Sequence, residues 1–160
     1  MSMKGKKMEQ RINFFETGKN AMKALYGVGA YLGKAGFEPG LLNLIYFRVS
    51  QINGCAYCLD MHSKDLRANG ETEQRLYLLN AWREAPFYSD RERAALAWSE
   101  AVTTIPNGDV PNDVYDNARK QFSEQELIDL TMAITTINTY NRLNIAFRTT
   151  AGGYKAGDHG

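Results

Sequence analysis

Two helix-start signatures constrain this chain most. Ser89-Asp-Arg-Glu92 and Ser123-Glu-Gln-Glu126 each place a hydroxyl three residues before a carboxylate, ahead of a run with helical spacing. In such a capping box the serine oxygen accepts from the backbone N–H three residues on, and the glutamate accepts from the serine's own N–H. The first box predicts a helix to about Thr103, burying Ala94, Ala95, Ala97, Trp98 and Ala101. The second opens the longest helix, to about Thr149.

The remaining segments are also helical in period, with little strand alternation, and Gly, Pro and capping residues separate them. Met22, Leu25, Tyr26, Gly29, Ala30 and Leu32 form an apolar stripe between about Asn20 and Lys34. Its glycines weaken that helix in isolation but permit close helix–helix approach. Pro39 suits the first turn of a helix to about Gln51, with Leu41, Leu44, Ile45 and Val49 inward. Asn53-Gly54 interrupts it, and the next helix runs from about Cys55 to Ala68, where Asn69-Gly70 stops it. Helices from Thr72 to Ala81 and from Pro111 to about Phe122 complete the set, the second preceded by a turn-rich link from Ile105 to Asp109. The expected fold is all-α: a compact single-domain helical bundle of about six to seven helices. One domain spans 1–160, with loose ends expected at about 1–10 and 151–160, the latter opening with Gly152-Gly153.

Composition narrows the function. A net charge of +1 without a Lys/Arg stripe argues against nucleic acid as a partner. Every long apolar run is broken by charge well short of the ~20 residues that cross a bilayer, so no membrane partner is expected. The basic segment Met1–Gln10 is followed by no apolar stretch and does not resemble a secretory leader. The expectation is therefore cytoplasmic, where paired cysteines serve catalysis or metal binding more often than structural cross-linking.

The chemistry lies in Asn53-Gly-Cys55-Ala-Tyr-Cys58-Leu-Asp-Met-His62. At about 3.6 residues per turn, Cys55, Cys58 and His62 share one stripe of a helix. The two sulfurs are near enough for a disulfide, and His62 lies one turn beyond Cys58. The first turn offers free backbone N–H groups and the positive end of the macrodipole, both of which favour thiolate. A thiolate beside an imidazole, with a second thiol in reach, can attack an oxidant and then resolve into a disulfide. These residues do not fix the order of the cysteines: the dipole favours Cys55 as the thiolate, and proximity to His62 favours Cys58. Zinc is the competing reading, but it needs three or four ligands, and the only other histidine is His159, in the tail. No metal and no cofactor is expected. Tyr57 packs or shields the disulfide, Trp82 and Trp98 belong to core or interface, and the carboxylates at helix ends are explained by capping and dipole effects.

The run from Arg48 through His62 resembles the alkylhydroperoxidase-D-like branch of the carboxymuconolactone decarboxylase family. Leu78-Leu-Asn-Ala-Trp-Arg-Glu-Ala-Pro86, Ser89 to Trp98 and Thr139-Tyr-Asn-Arg-Leu-Asn-Ile-Ala-Phe147 extend the likeness over roughly residues 35 to 150. The resemblance implies an all-α fold assembled as a homo-oligomer, a trimer or a hexamer. The implied activity is reduction of a small-molecule peroxide, an alkyl hydroperoxide, with electrons returned by a thiol reductant protein or a low-molecular-weight thiol. It further implies that Cys58 is the peroxidatic thiolate, Cys55 the resolving thiol and proton donor, and His62 a member of the proton relay. Family members with the full relay carry a Glu twelve residues before the first Cys, and here that relay position is Asn43. An amide exchanges no proton near neutral pH, so a slow peroxidase is expected. The alternative is a redox-sensing, disulfide-reductase or partner-binding module of the same fold with weak or no peroxidase turnover. Many Tyr, Phe and Met residues on several helices independently predict an apolar patch for a partner copy.

Overall fold

The computed structural model describes residues 8–158, so His159 and most of the loose start expected at 1–10 lie outside the described residues. Eight α-helices and no strand occur among them. In chain order the helices are α1 (Phe14–Thr17), α2 (Lys19–Leu32), α3 (Leu41–Asn53), α4 (Ala56–Ala68), α5 (Glu73–Tyr77), α6 (Asp90–Thr104), α7 (Asn112–Gln121) and α8 (Glu124–Phe147).

Both capping boxes form. Ser89 Oγ accepts from the Glu92 N–H at 3.2 Å, and Glu92 accepts from the Ser89 N–H at 2.8 Å. Ser123 and Glu126 repeat the arrangement at 3.2 and 2.8 Å. Each glutamate has a further role across the bundle, pairing with Arg75 and Arg91 respectively. The boxes thus fix where α6 and α8 begin and tie those starts to α5 and α6.

The core lies where α3 packs against α4, α6 and α8. Ile45 and Val49 of α3, Ala95 and Leu96 of α6, and Leu130 and Ile134 of α8 are fully buried. Full burial of the Ile, Val and Leu side chains among them contributes about 1.5–3 kcal/mol each. Trp82 and Trp98 are buried too, and their indole N–H groups donate to Glu100 and Thr131.

Four local expectations are revised. Residues 72–81 form no single helix: α5 stops at Tyr77, and a 3₁₀ turn covers Leu79–Ala81. Pro39 precedes α3, which begins after Gly40 at a left-handed φ of 88° that only glycine adopts freely. A Cβ added at Gly27 or Gly29 of α2 meets nothing within 4 Å, so these glycines serve no close helix–helix approach within the chain. Finally, the segment expected to be loose after Gly152 is docked on α4. Gly152 N–H donates to Asp60, Lys64 donates to the Tyr154 carbonyl, and the buried Tyr154 donates its hydroxyl to Asp65 at 2.8 Å. The buried phenol and these bonds outweigh the entropy that two adjacent glycines would otherwise retain.

Candidate redox centre

The cysteine pair is positioned by the α3–α4 turn. Gly54 takes a left-handed conformation (φ 68°, ψ 36°) that ends α3, and Cys55 follows in extended geometry as the N-cap of α4. Asn53 anchors the turn by donating its amide to Asn138 and Asn141 of α8 at 2.9 and 3.0 Å. Cys55 N–H donates to the Ser50 carbonyl, and Cys58 N–H donates to Cys55 Sγ at 3.3 Å. Cys55 and Cys58 are joined as a disulfide with Cα atoms 5.3 Å apart. Both residues are only 1% exposed.

The helical spacing predicts Cys55, Cys58 and His62 on one face, and the structure joins the first two as a disulfide at the start of α4. Cys58 and His62 border a cleft of about 780 Å³, whereas Cys55 is not among its lining residues. Cys55 is the N-cap: helical dihedrals start at Ala56, while its sulfur and its carbonyl accept from the Cys58 and Leu59 N–H groups.

The cleft is built by elements distant in sequence. Phe15 comes from α1; Tyr26, Gly29 and Ala30 from α2; Tyr46 from α3; Tyr57 and Met61 from α4; Thr136, Ile137, Tyr140 and Asn144 from α8. Asn144 Nδ2 reaches Cys58 Sγ at 3.6 Å and donates to the Tyr140 carbonyl at 2.9 Å, while its Oδ1 has no partner. His62 is 6% exposed, neither ring nitrogen has a hydrogen-bond partner, and its ring packs 5.4 Å from that of Tyr46.

The cleft is uncharged near neutral pH. Burial pushes the His62 imidazole down to about 4, only partly opposed by the carboxylate of Asp65. Burial likewise pushes the Tyr46 and Tyr140 phenols up to about 12 and raises Tyr57. None of the lining residues is a Lys, Arg, Asp or Glu. The chemistry available is that of a buried sulfur pair, a neutral imidazole with one N–H and one lone pair, and an amide aimed at the sulfur.

Asn43, the relay position, is a half-buried residue of α3 and does not line the cleft; Tyr46, one turn later, does. Tyr46, Tyr140 and Asn144 are the residues that sequence reasoning missed. Asn144 left a signal: it continues the buried stripe of Leu130, Ile134, Ile137 and Asn141, where an amide is out of place unless it has work in the interior. Among the described residues no group of three His, Cys, Asp or Glu side chains is placed to hold a metal, and no helix is long and apolar enough to cross a membrane.

An all-helical bundle that buries a CxxC pair beside a histidine, at the edge of an aromatic cleft, defines an alkylhydroperoxidase-D-like protein. The chain belongs to the carboxymuconolactone decarboxylase family, which it matches over residues 19–101. It is 43% identical to the uncharacterized Bacillus subtilis (strain 168) protein YdfG, over 87% of this chain and 95% of that one. It is similar in structure, with a TM-score of 0.86 and 40% identity, to ATU0492 of Agrobacterium tumefaciens. That likeness covers 91% of this chain and all of the other, a protein of unknown function provisionally placed with the antioxidant-defence protein AhpD. The debrominase Bmp8 shares the fold at a TM-score of 0.72 and 24% identity, over 85% of this chain and 74% of its own. A fold shared this widely leaves the reaction to be argued from the site.

Proposed function

We propose that this protein reduces organic hydroperoxides through a dithiol–disulfide cycle of Cys58 and Cys55. The observation that supports it best is the placement of Cys58: a sulfur already paired with Cys55 borders a cleft beside an imidazole with both nitrogens free.

In the reduced protein the Cys58 thiolate attacks the terminal oxygen of the hydroperoxide. An S–O bond forms, the O–O bond breaks, and the leaving alkoxide takes a proton and departs as the alcohol. Neutral His62 suits that transfer, since one nitrogen accepts the thiol proton and the other donates. Asn144 Nδ2 stabilises negative charge on sulfur. Cys58, now a sulfenic acid, is attacked by Cys55: the S–O bond breaks, the leaving hydroxide takes the Cys55 thiol proton and departs as water, and the disulfide closes. Two electrons have passed from the dithiol to the peroxide. A thiol reductant, protein or small molecule, returns two electrons and two protons, so the cycle needs the reducing thiol pool of a cytoplasm. A homo-oligomer, trimer or hexamer, is part of the proposal; exposed Ile128, Met132 and Ile145 on α8 offer apolar surface for it.

Reduced protein mixed with tert-butyl hydroperoxide should lose both thiols by mass spectrometry and consume peroxide continuously once a dithiol reductant is added. Thiols that survive a large excess of oxidant overturn the proposal. Consumption that halts after one equivalent despite the reductant assigns the pair to redox sensing instead. Light scattering at a single-chain mass would remove the assembly from the proposal.

A further inference from the structure

We propose that α2, through Gly29, sets the substrate range of this site: it keeps the cleft open for an uncharged hydroperoxide carrying a ring-sized apolar group. The inference rests on the peroxide-reducing reading of the cysteine pair and names the substrate class for it.

Glycine inside a helix lowers its stability relative to alanine, so a helical glycine needs a reason. The usual reasons are absent at Gly29. Its backbone is helical and not left-handed, and a Cβ placed there meets no atom within 4 Å. What Gly29 does border is the cleft. Its missing side chain is therefore space on the substrate side of α2.

The rest of the cleft describes what that space receives. At about 780 Å³ it lies within the range of sites that enclose small organic molecules, and hydrogen peroxide would fill little of it. Phe15, Tyr26, Tyr46 and Tyr140 present aromatic rings, which pack against another ring by face or edge. The unpaired polar atoms of the lining are both nitrogens of His62, nine-tenths buried and one turn from Cys58, and Oδ1 of Asn144, whose amide reaches the Cys58 sulfur. Those atoms suit the O–OH group, and the aromatic rings suit its substituent. A carboxylate on the substituent would find no Lys or Arg counter-charge among the lining residues.

The test uses three oxidants (cumene hydroperoxide, its ring-carboxylated analogue and hydrogen peroxide) on the full chain, on Gly29→Leu and on Gly27→Leu. Gly27 lies on the same helix with equally empty surroundings but outside the cleft, so its variant controls for helix effects. Thiol loss in the unaltered protein should be about a hundredfold faster with cumene hydroperoxide than with its carboxylate. Gly29→Leu should lose about tenfold on cumene hydroperoxide and under twofold on hydrogen peroxide, whereas Gly27→Leu should match the unaltered protein. Binding of 2-phenylpropan-2-ol, the alcohol product, to the disulfide form by ligand-observed NMR should weaken about tenfold in Gly29→Leu alone. Equal rates for the carboxylate, or equal losses on both peroxides in Gly29→Leu, overturn the inference. So does a changed oligomer mass in Gly29→Leu with no change in selectivity, which would assign the glycine to a subunit contact. If no peroxide oxidises the thiols, the peroxide reading fails, and the alcohol-binding result still decides the role of Gly29.

Discussion

Two buried polar clusters meet α8 one turn apart, and they are built in opposite ways. Around Asn141 every polar group found a partner. Its amide donates to Ser50 Oγ and its oxygen accepts from Asn53, Ser50 donates to the Tyr46 carbonyl, and Asn138 links Asn53 to Thr103. Around Asn144, three residues on, Oδ1 and both nitrogens of His62 have none. A polar group with no protein partner beside a cleft takes its hydrogen bonds from water or from a bound molecule. The saturated cluster holds α3 to α8 and so fixes the turn that carries the cysteines; the open one faces the cleft, where a bound molecule can complete it.

The largest expected effect tests the open cluster. Cys58→Ser should bring peroxide consumption down to the buffer rate, and full retention of activity would move the chemistry elsewhere. Next comes a pH effect on folding. The unfolded chain protonates His62 near its ordinary value of 6.5, whereas the native state does so only near 4. Native stability should therefore fall as pH drops from about 6.5 to 4 and level off below, by roughly 3 kcal/mol from this residue. Lowered carboxylates such as Asp60, Glu100 and Glu126 add a slope of the same sign. The difference between the protein and His62→Leu in urea titrations isolates the histidine, and parallel pH profiles would refute its burial as the neutral form.

The two asparagines give the sharpest contrast. Asn141→Ala leaves Ser50 and Asn53 short of partners and should cost about 2 kcal/mol by urea denaturation. Asn144→Ala should cost about half that but slow thiol oxidation by about tenfold. Equal destabilisation with unchanged oxidation rates would erase the distinction between the clusters. The smallest effect is expected from Asn43→Glu, because residue 43 does not border the cleft. We expect under about threefold change in oxidation rate; a gain of about tenfold or more would restore the relay to that position.

Much of this was legible in the sequence where the determinants are local. Ser89, Ser123 and the Asn53-Gly54 break announce helix limits within four residues, and Cys55-Ala-Tyr-Cys58 announces the sulfur pair. Asn144 and Tyr140 acquire a role only when α8 packs against α4, 86 positions away in the case of the Asn144–Cys58 pair. The docking of Tyr154 on Asp65 is of the same kind, with 89 positions between donor and acceptor. No periodicity within a window encodes such pairs.

The seat of Cys55 at the N-cap has a consequence for how the proposed cycle is reset. A returning thiol enters through the cleft and meets Cys58, forming a mixed disulfide there and expelling Cys55 as the leaving group. The expelled sulfur stays at the electropositive end of α4, where the Cys58 N–H points at it. In the proposed cycle Cys58 is the sulfur that meets incoming molecules, and Cys55 leaves at a helix N-terminus, which favours a departing thiolate.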